Sequence, residues 1–149
     1  MMAARLTSEA LSAWRSMLFA SSRVVRLLEE DMASQHGLPI TWFDILGRLR
    51  QAGGRLRMHQ LEEQSVFTRS GITRLADRME TAGLIRRVRS ATDRRGVYLE
   101  ITEAGGAKMD EVWPDHQNSI QRHFADRLDD DDLRALRVAA EKLLDRGSD

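Results

Sequence analysis

Ser70, Thr73, Arg74 and Arg78 fall within one short stretch, and Asp93, Arg94 and Arg95 form a cluster soon after it. Hydroxyls and guanidinium groups spaced along a helix can hydrogen-bond to base edges and phosphates, which suits the major groove of DNA. The stretch that must carry the first group is TRSGITRLADRMETAG, Thr68 to Gly83. Ile72, Leu75 and Met79 recur at a 3-then-4 spacing, which predicts one buried helical face. Arg69, Ser70, Thr73, Arg74, Asp77 and Arg78 fall on the other sides, Thr68 can cap the start, and Gly83 suits a left-handed stop. Ser70, Thr73 and Arg74 are candidates for base-edge contact. Arg69 and Arg78 suit phosphates, and Thr68 can join them while capping. Many surface helices carry Arg and Thr, so the case depends on the segment after Gly83.

Leu84 to Arg89 and Val97 to Thr102 are short β-prone runs, and SATDRRG, Ser90 to Gly96, lies between them and is rich in turn formers. The pattern predicts a β-hairpin with five arginines between Arg86 and Arg95. A polar helix followed by a basic hairpin is the winged helix-turn-helix plan, with Arg95 of the hairpin tip suited to a narrow minor groove. An acid at such a tip should repel phosphate. Asp93 is expected instead to orient the Arg95 guanidinium by a bidentate pair; the plainer alternative is a turn-forming Asp beside solvated arginines.

These residues carry a family resemblance. Asp93-x-Arg95, five residues and then Ile101-Thr102 resembles the wing signature D-x-R-x5-L-T of the MarR family, with Ile in place of Leu. Ser70 to Arg87 is similar to that family's recognition helix and first wing strand, and Leu38 to Thr41 with Ile45-Leu46 sit where its second helix begins. The resemblance spans roughly the whole chain and is strongest from Arg55 to Gly105. It implies a homodimeric winged-helix regulator of transcription, usually with a small-molecule pocket near the dimer junction. The corresponding expectation is a repressor that binds an inverted-repeat operator in double-stranded DNA.

The whole-chain totals set bounds. The chain has 149 residues, 42% hydrophobic and 31% charged, with two prolines and no cysteine, a composition suited to one helix-rich chain. Lack of cysteine excludes disulfides and thiolate chemistry and agrees with a cytoplasmic setting. No apolar run suggests a membrane span or a signal peptide. Net charge is zero, yet residues 55–95 carry ten arginines against five acids, whereas 96–149 carry seven basic residues against thirteen acids. Positive charge is concentrated where the polar helix and hairpin lie, as a nucleic-acid-binding face requires.

Around this face the expected fold is mainly α with a small β-wing. Residues 38–102 form the winged helix-turn-helix part, and 7–36 and 103–146 form a helical dimerisation part. Residues 7–36 predict one long helix, capped by Thr7 or Ser8, whose Leu11, Trp14, Leu18, Val25, Leu28 and Met32 recur at helical spacing. It is longer than a small core requires, so part of its apolar face is expected to meet a partner subunit. Thr41 is expected to cap the second helix with Asp44 as capping-box acid, and Ile45, Leu46 and Leu49 to be buried. Arg55-Leu56-Arg57 predicts a third wing strand, Met58 or His59 to Gln64 a short helix, and Ser65 to Phe67 a turn anchored in the core. After Thr102 a helix to His123 is expected to kink or break at Pro114. The last helix follows Asp129 to Asp132, with Leu133, Leu136, Ala140, Leu143 and Leu144 expected on its buried side.

Other chemistries are weaker. Four consecutive aspartates, Asp129 to Asp132, splay around a helix start and lack calcium-loop spacing, so capping is the better reading. His116 and His123 are too far apart for a typical zinc pair. No nucleophile elbow, phosphate loop or dinucleotide fingerprint occurs, so neither catalysis nor a cofactor is expected. Trp14, Trp42 and Trp113 are either core residues or, as the family resemblance implies, the walls of a pocket for a small, aromatic effector, with His36 as a polar contact.

Overall fold

The computed structural model describes residues 5–64 and 69–144, without the side chains at 64, 69 and 70. The expected turn at Ser65 to Phe67 and the cap at Thr68 lie outside the described residues. Among the described residues, helices and strands come in the order α1 (Ser8–His36), α2 (Ile40–Gln51), β1 (Arg55–Arg57), α3 (Met58–Gln64), α4 (Arg69–Thr81), β2 (Ile85–Arg89), β3 (Val97–Ile101), α5 (Glu103–His123) and α6 (Asp130–Leu144), with a 3-10 turn at Ala125–Arg127. The mainly helical class with a small antiparallel wing is the one the sequence predicts. No described helix is long and apolar enough to cross a membrane.

Local chemistry explains most of the boundaries. Thr7 caps α1: its Oγ1 accepts the Ala10 N–H at 3.1 Å. α2 departs from expectation. It starts at Ile40 after Pro39, which takes the N-cap position with an extended backbone (φ −62°, ψ 136°), and the Pro39 carbonyl accepts the Trp42 and Phe43 N–H groups. Thr41 is therefore already inside the helix, and Asp44 accepts a hydrogen bond from Arg48 Nε at 2.8 Å instead of serving a capping box. α4 ends as a Schellman turn: Leu84 N–H reaches the Met79 carbonyl and Gly83 N–H the Glu80 carbonyl. Gly83 there has φ of 77°, a conformation that a side chain would strain.

The strands form one sheet in the order β1-β3-β2, both pairings antiparallel. Leu99 of β3 stands opposite Leu56 on one side and Arg87 on the other. Thr102 then joins the sheet to α5: its hydroxyl donates to the Gly83 carbonyl at 2.6 Å and accepts the Gly105 N–H at 3.1 Å. Gly105 has no room for a side chain, since a Cβ there would lie 2.2 Å from the Leu84 carbonyl oxygen. α5 continues unbroken through Pro114. Only one helical N–H is lost there, and proline's fixed φ is itself helical.

The chain divides into two compact units, Met32–Asp115 and Met1–Asp31 with His116–Asp149. In the first, Ile45, Leu46 and Leu49 of α2, Leu61 of α3, Ile72, Ala76 and Met79 of α4, Ile85 and Leu99 of the sheet, and Met109 and Val112 of α5 form one buried core. Leu75, expected on the buried face, is only half-buried, and Ala76 takes the inner position. In the second unit, Asp31 Oδ2 accepts hydrogen bonds from Ser119 Oγ, from Arg122 Nη2 at 2.8 Å and from His123 Nε2 at 2.8 Å. The Ser119 bond first, then Arg122 and His123, hold the Asp31 carboxyl down at about 2 against the cost of burial. Asp129 caps α6 reciprocally with Asp132, whose N–H it accepts at 2.8 Å. The expected burial of the α6 stripe is not met: Leu136 is exposed, Leu143 and Leu144 are 73% and 76% exposed, and only Leu133 and Ala140 are partly covered. Trp14, Leu18 and Val25 of α1 are likewise open. Periodicity marks an apolar face but not what covers it.

Candidate nucleic-acid interface

The core holds α4 by Ile72, Ala76 and Met79, which leaves Thr73, Arg74, Asp77 and Arg78 exposed. The side chains of Arg69 and Ser70, like Thr68, lie outside the described residues. Arg87 of β2 clamps α4 to the sheet: its guanidinium donates to Asp77 Oδ1 at 2.6 Å and to Glu80 Oε1 at 2.8 Å, and its N–H to Glu80 Oε2 at 2.7 Å. Burial works against the Arg87 charge, but Asp77 and Glu80 outweigh it and raise its proton affinity. The acid on the polar side of α4 is thereby neutralised. Arg78 lies over the Trp42 ring, 5.6 Å from its centroid. Among the described residues no acid pairs with Arg74.

The hairpin loop is held by its own hydrogen bonds. Ser90 Oγ accepts the Thr92 and Asp93 N–H groups, Gly96 N–H reaches the Asp93 carbonyl, and Ser90 N–H reaches the Gly96 carbonyl. Asp93 does not make the expected bidentate pair with Arg95. Its Oδ1 accepts the Arg95 backbone N–H at 3.0 Å, and its Oδ2 pairs with Arg57 Nη1 at 3.2 Å. An aspartate two residues back sits where an Asx turn forms, so it reaches the amide before the guanidinium. Asp93 thus orders the Arg95 backbone and leaves its side chain open.

Apart from Arg55 and Arg78, which lie over the Tyr98 and Trp42 rings, the arginines of α4, the hairpin and β1 whose side chains are described sort into two groups. Arg86 pairs with Glu100 across the β2–β3 ladder, Arg87 with Asp77 and Glu80, and Arg57 with Asp93. Arg74, Arg89, Arg94 and Arg95 are exposed and have no acid partner among the described residues. The first group builds the scaffold, and the second is available to phosphate.

Thr73 of α4, Asp93 and Arg95 of the loop, and Arg57 and Arg87 of the sheet line one groove of about 610 Å³. The structure thus brings Thr73, Asp93 and Arg95 together; Arg74, Arg78 and Arg94 lie outside the groove lining. Arg57 and Tyr98 are the residues that sequence reasoning missed. The only available signal was strand alternation, which turns Arg55 and Arg57 away from buried Leu56.

Of the candidate effector residues, His36, Trp42 and Trp113 belong to the Met32–Asp115 unit and Trp14 to the other. The His36 ring lies between two α5 carboxylates, with Nε2 3.0 Å from Asp115 and Nδ1 3.7 Å from Glu111. Trp113 stacks on Phe43 with centroids 6.2 Å apart. The Trp42 indole N–H is buried without a hydrogen-bond partner among the described residues.

Helices α2 to α4 leading into a three-stranded sheet with a basic hairpin define a winged helix-turn-helix protein. The profile described as the MarR family matches residues 36–96. The chain is 31% identical over 102 residues to the HTH-type transcriptional regulator MhqR of Bacillus subtilis (strain 168), covering 66% of this chain and 70% of that protein. The crystal structure of AbsC, a MarR family transcriptional regulator from Streptomyces coelicolor, superposes with a TM-score of 0.80 at 35% identity, over 98% of this chain and 100% of AbsC. That of Sco3205 from the same organism, a MarR family regulator in complex with DNA, gives 0.83 at 27% identity, over 99% and 96% of the two chains. The chain belongs to the MarR family and is a transcriptional regulator, not an enzyme.

Proposed function

We infer that this regulator binds double-stranded DNA sequence-specifically as a homodimer, acts as a repressor, and is released by a small effector. The observation that carries the reading is the sorting of arginines in the helix and hairpin: Arg74, Arg89, Arg94 and Arg95, without acid partners among the described residues, stand on α4 and on the wing, where major and minor grooves can be met together. Arg74 suits a bidentate contact to guanine, with Ser70 and Thr73 beside it on α4. Arg69 and Arg78 suit phosphates, joined by Thr68. Arg95, with Arg94, suits the minor groove, its backbone held by Asp93. That Sco3205 was crystallised with DNA supports the same use of this fold. Residues 38–102 are the DNA-binding part.

Residues 7–36 and 103–146 are the dimerisation part. The open apolar side chains of α1 and α6, with Phe19 and Leu144 each about three-quarters exposed, support a second copy as their cover. A dimer would read an inverted repeat with half-site centres roughly one helical turn, ~10 bp, apart. An aromatic effector that accepts a hydrogen bond suits the unpartnered Trp42 indole, with His36, Trp113 and Trp14 as further candidates.

The test is selection of duplexes from a genomic pool by the purified protein, followed by titration in salt. Enrichment of one inverted repeat is expected, with affinity that falls steeply as salt rises. No enrichment by intact dimeric protein would overturn the reading and point to a winged-helix module that binds a protein.

A further inference from the structure

Arg57 lies on β1, outside both the recognition helix and the wing loop, yet its guanidinium is the one that takes Asp93. Nη1 donates to Asp93 Oδ2 at 3.2 Å, and Nε donates to the Tyr98 hydroxyl at 3.1 Å. The guanidinium carbons of Arg57 and Arg55 each lie 5.2 Å from the centroid of the Tyr98 ring. The β1–β3 register sets Arg57 opposite Tyr98, so the ladder places both residues without help from the loop. The Tyr98 bond, and after it the Asp93 pair, hold the Arg57 proton more firmly than usual.

Asp93 is therefore fixed from two directions. Oδ2 is tied to the sheet through Arg57, and Oδ1 is tied to the Arg95 amide. Gly96 closes the space behind it, since a Cβ there would stand 3.3 Å from Asp93 Oδ2. The chain between these ties carries Arg94 and Arg95, whose side chains remain open. A loop ordered before binding loses less conformational freedom on the duplex than a mobile one.

The geometry points to Arg57 and Tyr98 as positioning residues of the wing: through Asp93 they set the path of Arg94 and Arg95, and they make no DNA contact of their own. Arg57 has given its charge to Asp93 and its Nε to Tyr98, which leaves it poorly placed to serve a phosphate. The inference rests on the wing being a DNA-binding element, as proposed above.

Two measurements on full-length Arg57→Gln test it. The first needs no DNA: backbone heteronuclear NOEs at residues 91–96 are expected to fall while those of Leu56 and Leu99 stay at wild-type values. The second compares the selected duplex with A·T-rich and G·C-rich flanks. Arg57→Gln is expected to lower the A·T preference about five- to tenfold, the scale of one charge-assisted contact. Arg95→Ala should lower it similarly, and the double variant should lose little more, because both changes remove one interaction. Tyr98→Phe keeps the ring and removes only the hydroxyl, so it should act in the same direction and less.

Unchanged NOEs across the loop would overturn the inference. So would losses that multiply in the double variant, with the salt slope falling by a further ~0.9, since Arg57 would then be a phosphate contact itself. A wild-type protein that binds no duplex would defeat the DNA reading, and the NOE measurement would still decide whether Arg57 orders the loop.

Discussion

Between Met32 and Asp115 most apolar side chains of α2, α4, the sheet and the first half of α5, with Val97 and Trp113 as exceptions, turn inward and are covered by one another. In the terminal helices the pattern reverses: Met32 is the one buried residue of α1, and α6 has none. Both regions show helical periodicity of apolar residues, yet only one has a core of its own. The winged part is stabilised by its own burial, whereas the α1 and α6 stripes present surface of the kind that is covered on association. Charge divides the same way. Acids in the winged part pair with arginines that build it, which leaves a positive surplus, while the C-terminal region carries the negative excess.

The largest effect expected from this contrast is in the core. Leu46→Ala should cost about 2–5 kcal/mol in urea unfolding, since Leu46 is fully buried. Leu18→Asp on α1 should differ in kind. It should weaken self-association in sedimentation equilibrium by about 1–2 kcal/mol, as loss of an interfacial side chain does. If dimerisation is unchanged, α1 is not an interface and the contrast loses its meaning. The smallest effect belongs to the Asp31 cluster. Its folded-state carboxyl lies at about 2, below the ordinary 3.8, so its contribution is present above ~4 and is lost as pH falls through the folded value. Thermal unfolding of wild type and Asp31→Asn should therefore differ at neutral pH and converge as pH approaches 2. A difference that persists there would assign the effect to packing.

Much of the site was legible because it is built from local chemistry. Thr7, Thr102 and Asp129 cap the helices they precede, Gly83 stops α4, and the hairpin closes over its Ser90–Gly96 turn, all within a few residues along the chain. Expectation failed where another group competed, near or far in the chain. Asp44 was taken by Arg48 once Pro39 had started α2 on its own. Asp93 found Arg57, thirty-six residues away, which no local spacing could indicate.

The residues alone determined which segments would be helix or strand, where positive charge would gather, and which family the chain would resemble, because propensity, capping and turn chemistry act over a few residues. Only the tertiary structure decided how each charge is used. Whether an arginine is scaffold or free depends on which acid comes within about 3 Å of it, and that is set by strand register and helix packing rather than by neighbours in the chain.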